Sequence, residues 1–302
     1  MKLAFTFLFI LMNLTSSWAC NIGEKELMVR VAILKGDQAQ HLAFTGPILP
    51  PIVGESSITK KDFLKLIDTV KKVYVPIFRD LKMNFKIEHL WDDKQENAFA
   101  GVRGDDRYVI LYGGYARHKL MTPDAYLSVI CHEIGHHLGG FPKKVGGSWS
   151  SSEGQADYFS TLKCMKNVLK EDFQNEAAAA LLNLPEEVKK QCRSQFKNQN
   201  EYHICLRSAK AAEEHGDVIA DLVDRGGNNM VHLTTPSEEV VAQTNLRHPS
   251  PQCRVDTKYQ GALCNVSPLI ALDDEDEMKG TCHLNNFTIV GNRPACWFVH
   301  KK

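Results

Sequence analysis

The stretch from Thr122 to Pro142 constrains this chain more than any other part of it. It specifies a helix that is apolar over most of its surface yet carries a dense polar cluster. Thr122 is placed to cap its start, Pro123 suits the first turn, and Asp124 favours the positive end of the helix dipole. Gly139-Gly140 and then Pro142 mark its end. Tyr126, Leu127, Val129, Ile130, Ile134 and Leu138 give it a surface that needs cover. Inside that surface lies Cys131-His132-Glu133-Ile134-Gly135-His136-His137, and a buried polar cluster requires partners. His132 and His136 are one turn apart, so both imidazoles lie on one face and can share a metal ion. Zinc accepts neutral imidazole nitrogen and, in catalytic sites, keeps one position open for water. Glu133, beside the first ligand, can take a proton from that water and pass it to a leaving amine. His137 falls on another face and is expected to pack or to support the site from outside.

Two histidines need a third ligand. Ser152-Glu153-Gly154-Gln155-Ala156-Asp157 opens the next helix, expected over about 152–169. The Gly- and Ser-rich connection before it is long enough to let the two helices face each other. Glu153 is expected to complete the metal site, and Asp157, one turn on, to accept the second ring N–H of His132 or His136. The alternative is a capping box between Ser150 and Glu153, which would leave the histidines short of a ligand. Elsewhere the periodicity predicts an amphipathic helix over 60–81, capped by Ser57 or Thr59. Strands are expected at 27–34, 84–91 and 107–112, with mostly helix over 170–223 and a helix at 252–263. The acidic run 273–277 matches no calcium-loop spacing and reads as a solvated loop.

Four motifs in order resemble the gluzincin zinc metallopeptidases of the CAAX prenyl protease/HtpX type. They are Asn97-Ala98-Phe99-Ala100, His132-Glu133-Ile134-Gly135-His136, Glu153-Gly154-Gln155-Ala156-Asp157, and His248-Pro249 followed by Arg254. The resemblance implies an α+β, zincin-like fold, mainly helical, with a small mixed sheet over the active-site helix. The cysteine-rich C-terminal extension is not part of the general pattern. It also implies a peptidase with zinc on His132, His136 and Glu153, and a polypeptide substrate. His248 is expected to donate to the oxyanion of the attacked carbonyl. Arg254 is expected to orient that loop by pairing with a carboxylate such as Asp157, or to contact substrate. The strand at 107–112 is expected at the sheet edge, where an extended peptide could add to it, or else as an ordinary hairpin strand. Arg117 just after it is a candidate for a substrate carboxylate, although surface pairing is the commoner fate of such a residue.

The nine cysteines are dispersed with no C-x-x-C pair, which excludes a zinc ribbon and points to disulfides in an oxidising compartment. Cys131, inside an apolar helix, is expected to be the free one. Cys253 and Cys264 share a helix and stand ~16 Å apart, too far to bond each other. Cys192 with Cys205 and Cys282 with Cys296 are the first pairs to expect. Residues 3–14 are apolar but too few to span a bilayer, and Ser17-Trp18-Ala19 fits a cleavage site. This predicts a signal peptide at 1–19 and a periplasmic or secreted protein, with a lipid anchor at Cys20 as the alternative. Residues 20–302 are expected to form a single metallopeptidase-like domain: a catalytic core over about 59–170, a helical part to about 245, then the tail. No further membrane span is present in the pattern. Equal counts of 36 basic and 36 acidic residues remove the electrostatic reason for nucleic-acid binding. The leading expectation is an exported zinc metalloendopeptidase. The competitors are a non-catalytic zinc-containing peptide-binding or chaperone-like envelope protein and a metal-dependent amidase acting on a non-peptide substrate. Glu133 argues against the first, because structural zinc needs no general base.

Overall fold

The first helix, α1 (Lys60–Asp80), begins where the chain can close a capping box. Thr59 Oγ1 accepts from the Asp62 N–H, and Asp62 accepts in return from the Thr59 N–H. Its buried residues Phe63, Ile67, Val70, Tyr74 and Phe78 recur at helical spacing and face one core. These positions come from a computed structural model, which describes residues 56–144, 148–224, 230–284 and 290–300. The leader at 1–19, Cys20 and the strand expected at 27–34 lie outside the described residues.

Three strands follow: β1 (Asn84–Leu90), β2 (Ala98–Arg103) and β3 (Asp106–Tyr112). Their order is β1-β3-β2, with β1 parallel and β2 antiparallel to β3. β3 is therefore the central strand: it forms a hairpin with β2, the second of the two readings of this segment, and is not an edge strand open to peptide addition. Its sequence explains the correction. Tyr108 to Tyr112 are all buried, and a run apolar on both faces calls for pairing and cover on every side.

The short α2 (Gly113–Ala116) leads to α3 (Pro123–Leu138), which begins at Thr122, whose Oγ1 accepts from the Ala125 N–H. Every residue of α3 from Ala125 to His137 is buried. The helix expected next is one rod in three parts: α4 (Glu153–Phe159), a π-helical turn (Ser160–Cys164) and α5 (Met165–Leu169). After α6 (Asn175–Ala180) and α7 (Glu186–Gln195), the long α8 (Gln199–Val223) and α9 (Pro251–Leu263) close the structure. α9 packs on α8, α4 and the π-helical turn, so the tail lies directly behind the polar helices. The fold is α+β, mainly helical with a small mixed sheet. Among the described residues, no helix is long and apolar enough to cross a membrane.

Four disulfides staple these elements. Cys192–Cys205 forms as expected. Cys131 is not free: it bonds Cys164, with the two Cα atoms 5.4 Å apart. The α3 surface around Cys131 looks apolar in sequence because it packs on the rod, and that contact places a second buried cysteine opposite. Cys296 pairs with Cys253, and Cys282 with Cys264, instead of Cys282 with Cys296. Cys253 and Cys264 sit at opposite ends of α9, and each end meets a different part of the tail.

Candidate metal centre

The centre forms where α3 and α4 approach most closely. A Cβ on Gly135 would lie 2.9 Å from the Cα and carbonyl oxygen of Ala156, so a side chain there would push the helices apart. With glycine in place, Glu153 reaches both histidines. Its Oε2 lies 3.2 Å from His132 Nε2 and 3.7 Å from His136 Nε2. Four donors arranged tetrahedrally ~2.1 Å from zinc stand ~3.4 Å from one another, so this spacing suits the ion. The outer ring nitrogens are already engaged. His132 Nδ1–H donates to Asp157 Oδ1 at 2.8 Å, and His136 Nδ1–H donates to the Ser151 carbonyl at 2.9 Å. Both rings therefore turn the Nε2 lone pair inward, the tautomer a metal requires. His136 Nε2 is buried and has no hydrogen-bond partner, which a bound cation would satisfy. His132, His136 and Glu153 could thus hold a metal ion.

Glu133 lies on α3 next to His132 and is as buried as the ligands, which are all 2% exposed or less. His248, beyond α8, comes to the same point: its Nε2 is 3.1 Å from Glu153 Oε2, and its side chain is 24% exposed. Arg254, in the first turns of α9, holds Asp157 with Nε at 2.7 Å and Nη2 at 3.0 Å. The pairing with Asp157 is one of the two contacts expected for it. Glu153 makes no capping box: Ser152 is the N-cap and its side chain makes no capping hydrogen bond. His137 packs away from the centre, against Trp149 and the Tyr108 carbonyl. Arg117 is engaged by the Trp91 ring and by the carbonyls of Trp91 and Asp93.

Three neighbours of the centre are not among the residues the sequence singles out. Lys144 Nζ lies 2.7 Å from Glu153 Oε1, the carboxylate oxygen other than the one the histidines approach. Lys258 Nζ lies 3.5 Å from Asp157 Oδ1. His215 of α8 stands between Lys258 and Tyr115. Only Lys258 had a usable clue, since it follows Arg254 by one helical turn and shares its face.

Electrostatics agree with ligation. Burial opposes the ionisation of Glu153, but His136, His248 and His132 outweigh it and hold the carboxyl well below its usual range. Burial likewise opposes Asp157, and Arg254, His132 and Lys258 overcome it. Burial drives His136 well down, which keeps it in the neutral form that binds metal. At His132 burial works against the proton, yet Asp157, Glu153 and Glu133 together raise its pKa. A metal at Nε2 must displace that proton, so uptake releases acid.

Residues 60–203 match the model of peptidase family M48. The match covers a little under half of the chain, from α1 into α8. M48 peptidases are metal-dependent, and the matched stretch contains His132, Glu133, His136, Glu153 and Asp157. His248, Arg254 and Lys258 lie beyond it. Among curated proteins and solved structures, none matches the chain.

Proposed function

We propose that this protein is an exported zinc endopeptidase of the M48 kind, in which His132, His136 and Glu153 hold the metal and Glu133 is the general base. The observation that carries the reading is the convergence of two inward Nε2 atoms and one carboxylate oxygen, with Glu133 adjoining on the same helix. Zinc held there supplies a Lewis acid that polarises the scissile carbonyl and eases deprotonation of water. Glu133 accepts the proton of the attacking water and delivers it to the leaving amine. His248 donates from Nε2 to the oxyanion as it forms, and Arg254 keeps Asp157 ionised behind His132. The peptide adds along β2, which forms one edge of the sheet and packs on α3. Four disulfides support an oxidising compartment, and the packing of α9 on α4 supports one folding unit that includes the tail.

The test is digestion of an unfolded, casein-like protein by the purified chain. Activity should vanish with a chelator and return with zinc. Glu133→Gln should keep zinc and fold but lose hydrolysis, because an amide cannot accept the proton. Undiminished turnover by Glu133→Gln would remove the general base from the mechanism.

A further inference from the structure

Lys258 is 1% exposed, one helical turn after Arg254 on α9. A buried ammonium is costly unless a carboxylate and further acceptors meet it. The carboxylate it faces is Asp157, with Nζ 3.5 Å from Oδ1. Its other partners come from two more helices. Ser128 Oγ of α3 lies 3.3 Å away, and His215 Nδ1 of α8 accepts a hydrogen bond from Nζ. Because Nδ1 faces the ammonium as an acceptor, the ring proton of His215 sits on Nε2 and donates to Tyr115 Oη at 2.8 Å. Burial, reinforced by Lys258 and Arg254, holds the His215 pKa well below its ordinary value, in keeping with this neutral tautomer.

Charge balance alone does not explain the lysine, since Arg254 already pairs with both oxygens of Asp157. The geometry supplies the reason. Oδ1, the oxygen approached by Lys258, is the one that accepts from His132 Nδ1. Arg254 spans the carboxylate from one side, while Lys258, braced by His215 and Ser128, closes on Oδ1 from the α3 and α8 side. Together they stop the carboxylate from turning about its Cβ–Cγ bond.

We propose that Lys258 is a positioning residue of the metal centre, fixing Asp157 Oδ1 against His132 Nδ1 so that His132 offers Nε2 to zinc in one orientation. The inference rests on the proposed metal site. It predicts a function for a residue beyond the stretch matched to family M48.

The test is zinc affinity of the full chain, measured by competition with a chelating dye. Lys258→Met keeps length without charge, and Lys258→Gln keeps a donor for His215 and Ser128. Either variant, if folded by circular dichroism, should bind zinc ~10–100-fold more weakly, the scale of a lost partner behind a ligating histidine. The same substitution in an Asp157→Asn background should add less than about twofold, because its effect runs through that carboxylate. Unchanged affinity in both folded variants would overturn the inference. So would an undiminished further loss in the Asp157→Asn background, which is what general packing damage would give. Absence of zinc from the wild-type chain would instead overturn the metal site, and the inference with it.

Discussion

The Cys131–Cys164 disulfide encloses 33 residues of separation, and within that loop lie His132, Glu133, His136, Glu153 and Asp157. Cross-linking removes conformational freedom from the unfolded chain, and a loop of this size corresponds to about 4 kcal/mol at room temperature. The Cys192–Cys205 loop, with a separation of 13, corresponds to about 3 kcal/mol on the same relation. All four sulfurs are fully buried, so the cost of truncating the side chains is similar in the two pairs. Replacing Cys131 and Cys164 together with alanine should therefore lower stability by about 4 kcal/mol beyond that shared cost. For a domain of this size the entropic part alone lowers Tm by roughly 8–16 °C. The Cys192/Cys205 double alanine variant should lose about 1 kcal/mol less. Urea unfolding of the three proteins, with mass spectrometry to confirm the remaining disulfides, gives the comparison. A loss below about 1 kcal/mol for Cys131/Cys164, or a larger loss for the shorter loop, would refute the entropic argument.

Two further outcomes follow from the centre and its surroundings. His248→Ala should lower kcat by roughly 10²–10³-fold with KM and zinc content little changed, as for one lost oxyanion donor; steady-state kinetics with metal analysis decides, and zinc loss as severe as in His132→Ala would make His248 a ligand instead. His215 is held neutral by burial, so below its unfolded pKa of ~6.5 the unfolded state takes up a proton that the folded state refuses, and stability falls as the pH drops. Its share of the slope approaches about 1.4 kcal/mol per pH unit, and folded His215→Gln should lack that share in urea titrations between pH 7.5 and 5; equal slopes would contradict it.

The parts of this protein that were legible in its sequence are those whose determinants are local. Thr122, Pro123 and Gly139 fix α3 within one or two residues because caps act on their own helix. The spacing of His132 and His136 fixes a shared face for the same reason. Glu153 and Asp157 could be read because their helix begins only one connection later. What failed depends on register between distant elements. Cys131 looked free because nothing local indicates that Cys164 faces it across two packed helices. The segment that became β3 could be read as an edge strand or as a hairpin strand, because pairing order is not written in a single strand, although its unbroken apolar run favours the centre. The α9 disulfides were misassigned because the tail wraps both ends of that helix. Lys258 and His215 reach the site from helices far along the chain, and only assembly brings them to Asp157.

The central claim is that His132, His136 and Glu153 form one zinc site, and metal analysis of the purified chain beside four variants tests it most directly. Wild type should carry about one zinc per chain. His132→Ala, His136→Ala and Glu153→Gln should each lose most of it, while Glu133→Gln retains it. Full zinc in the folded His132→Ala protein, or none in wild type purified with zinc present, would contradict the account.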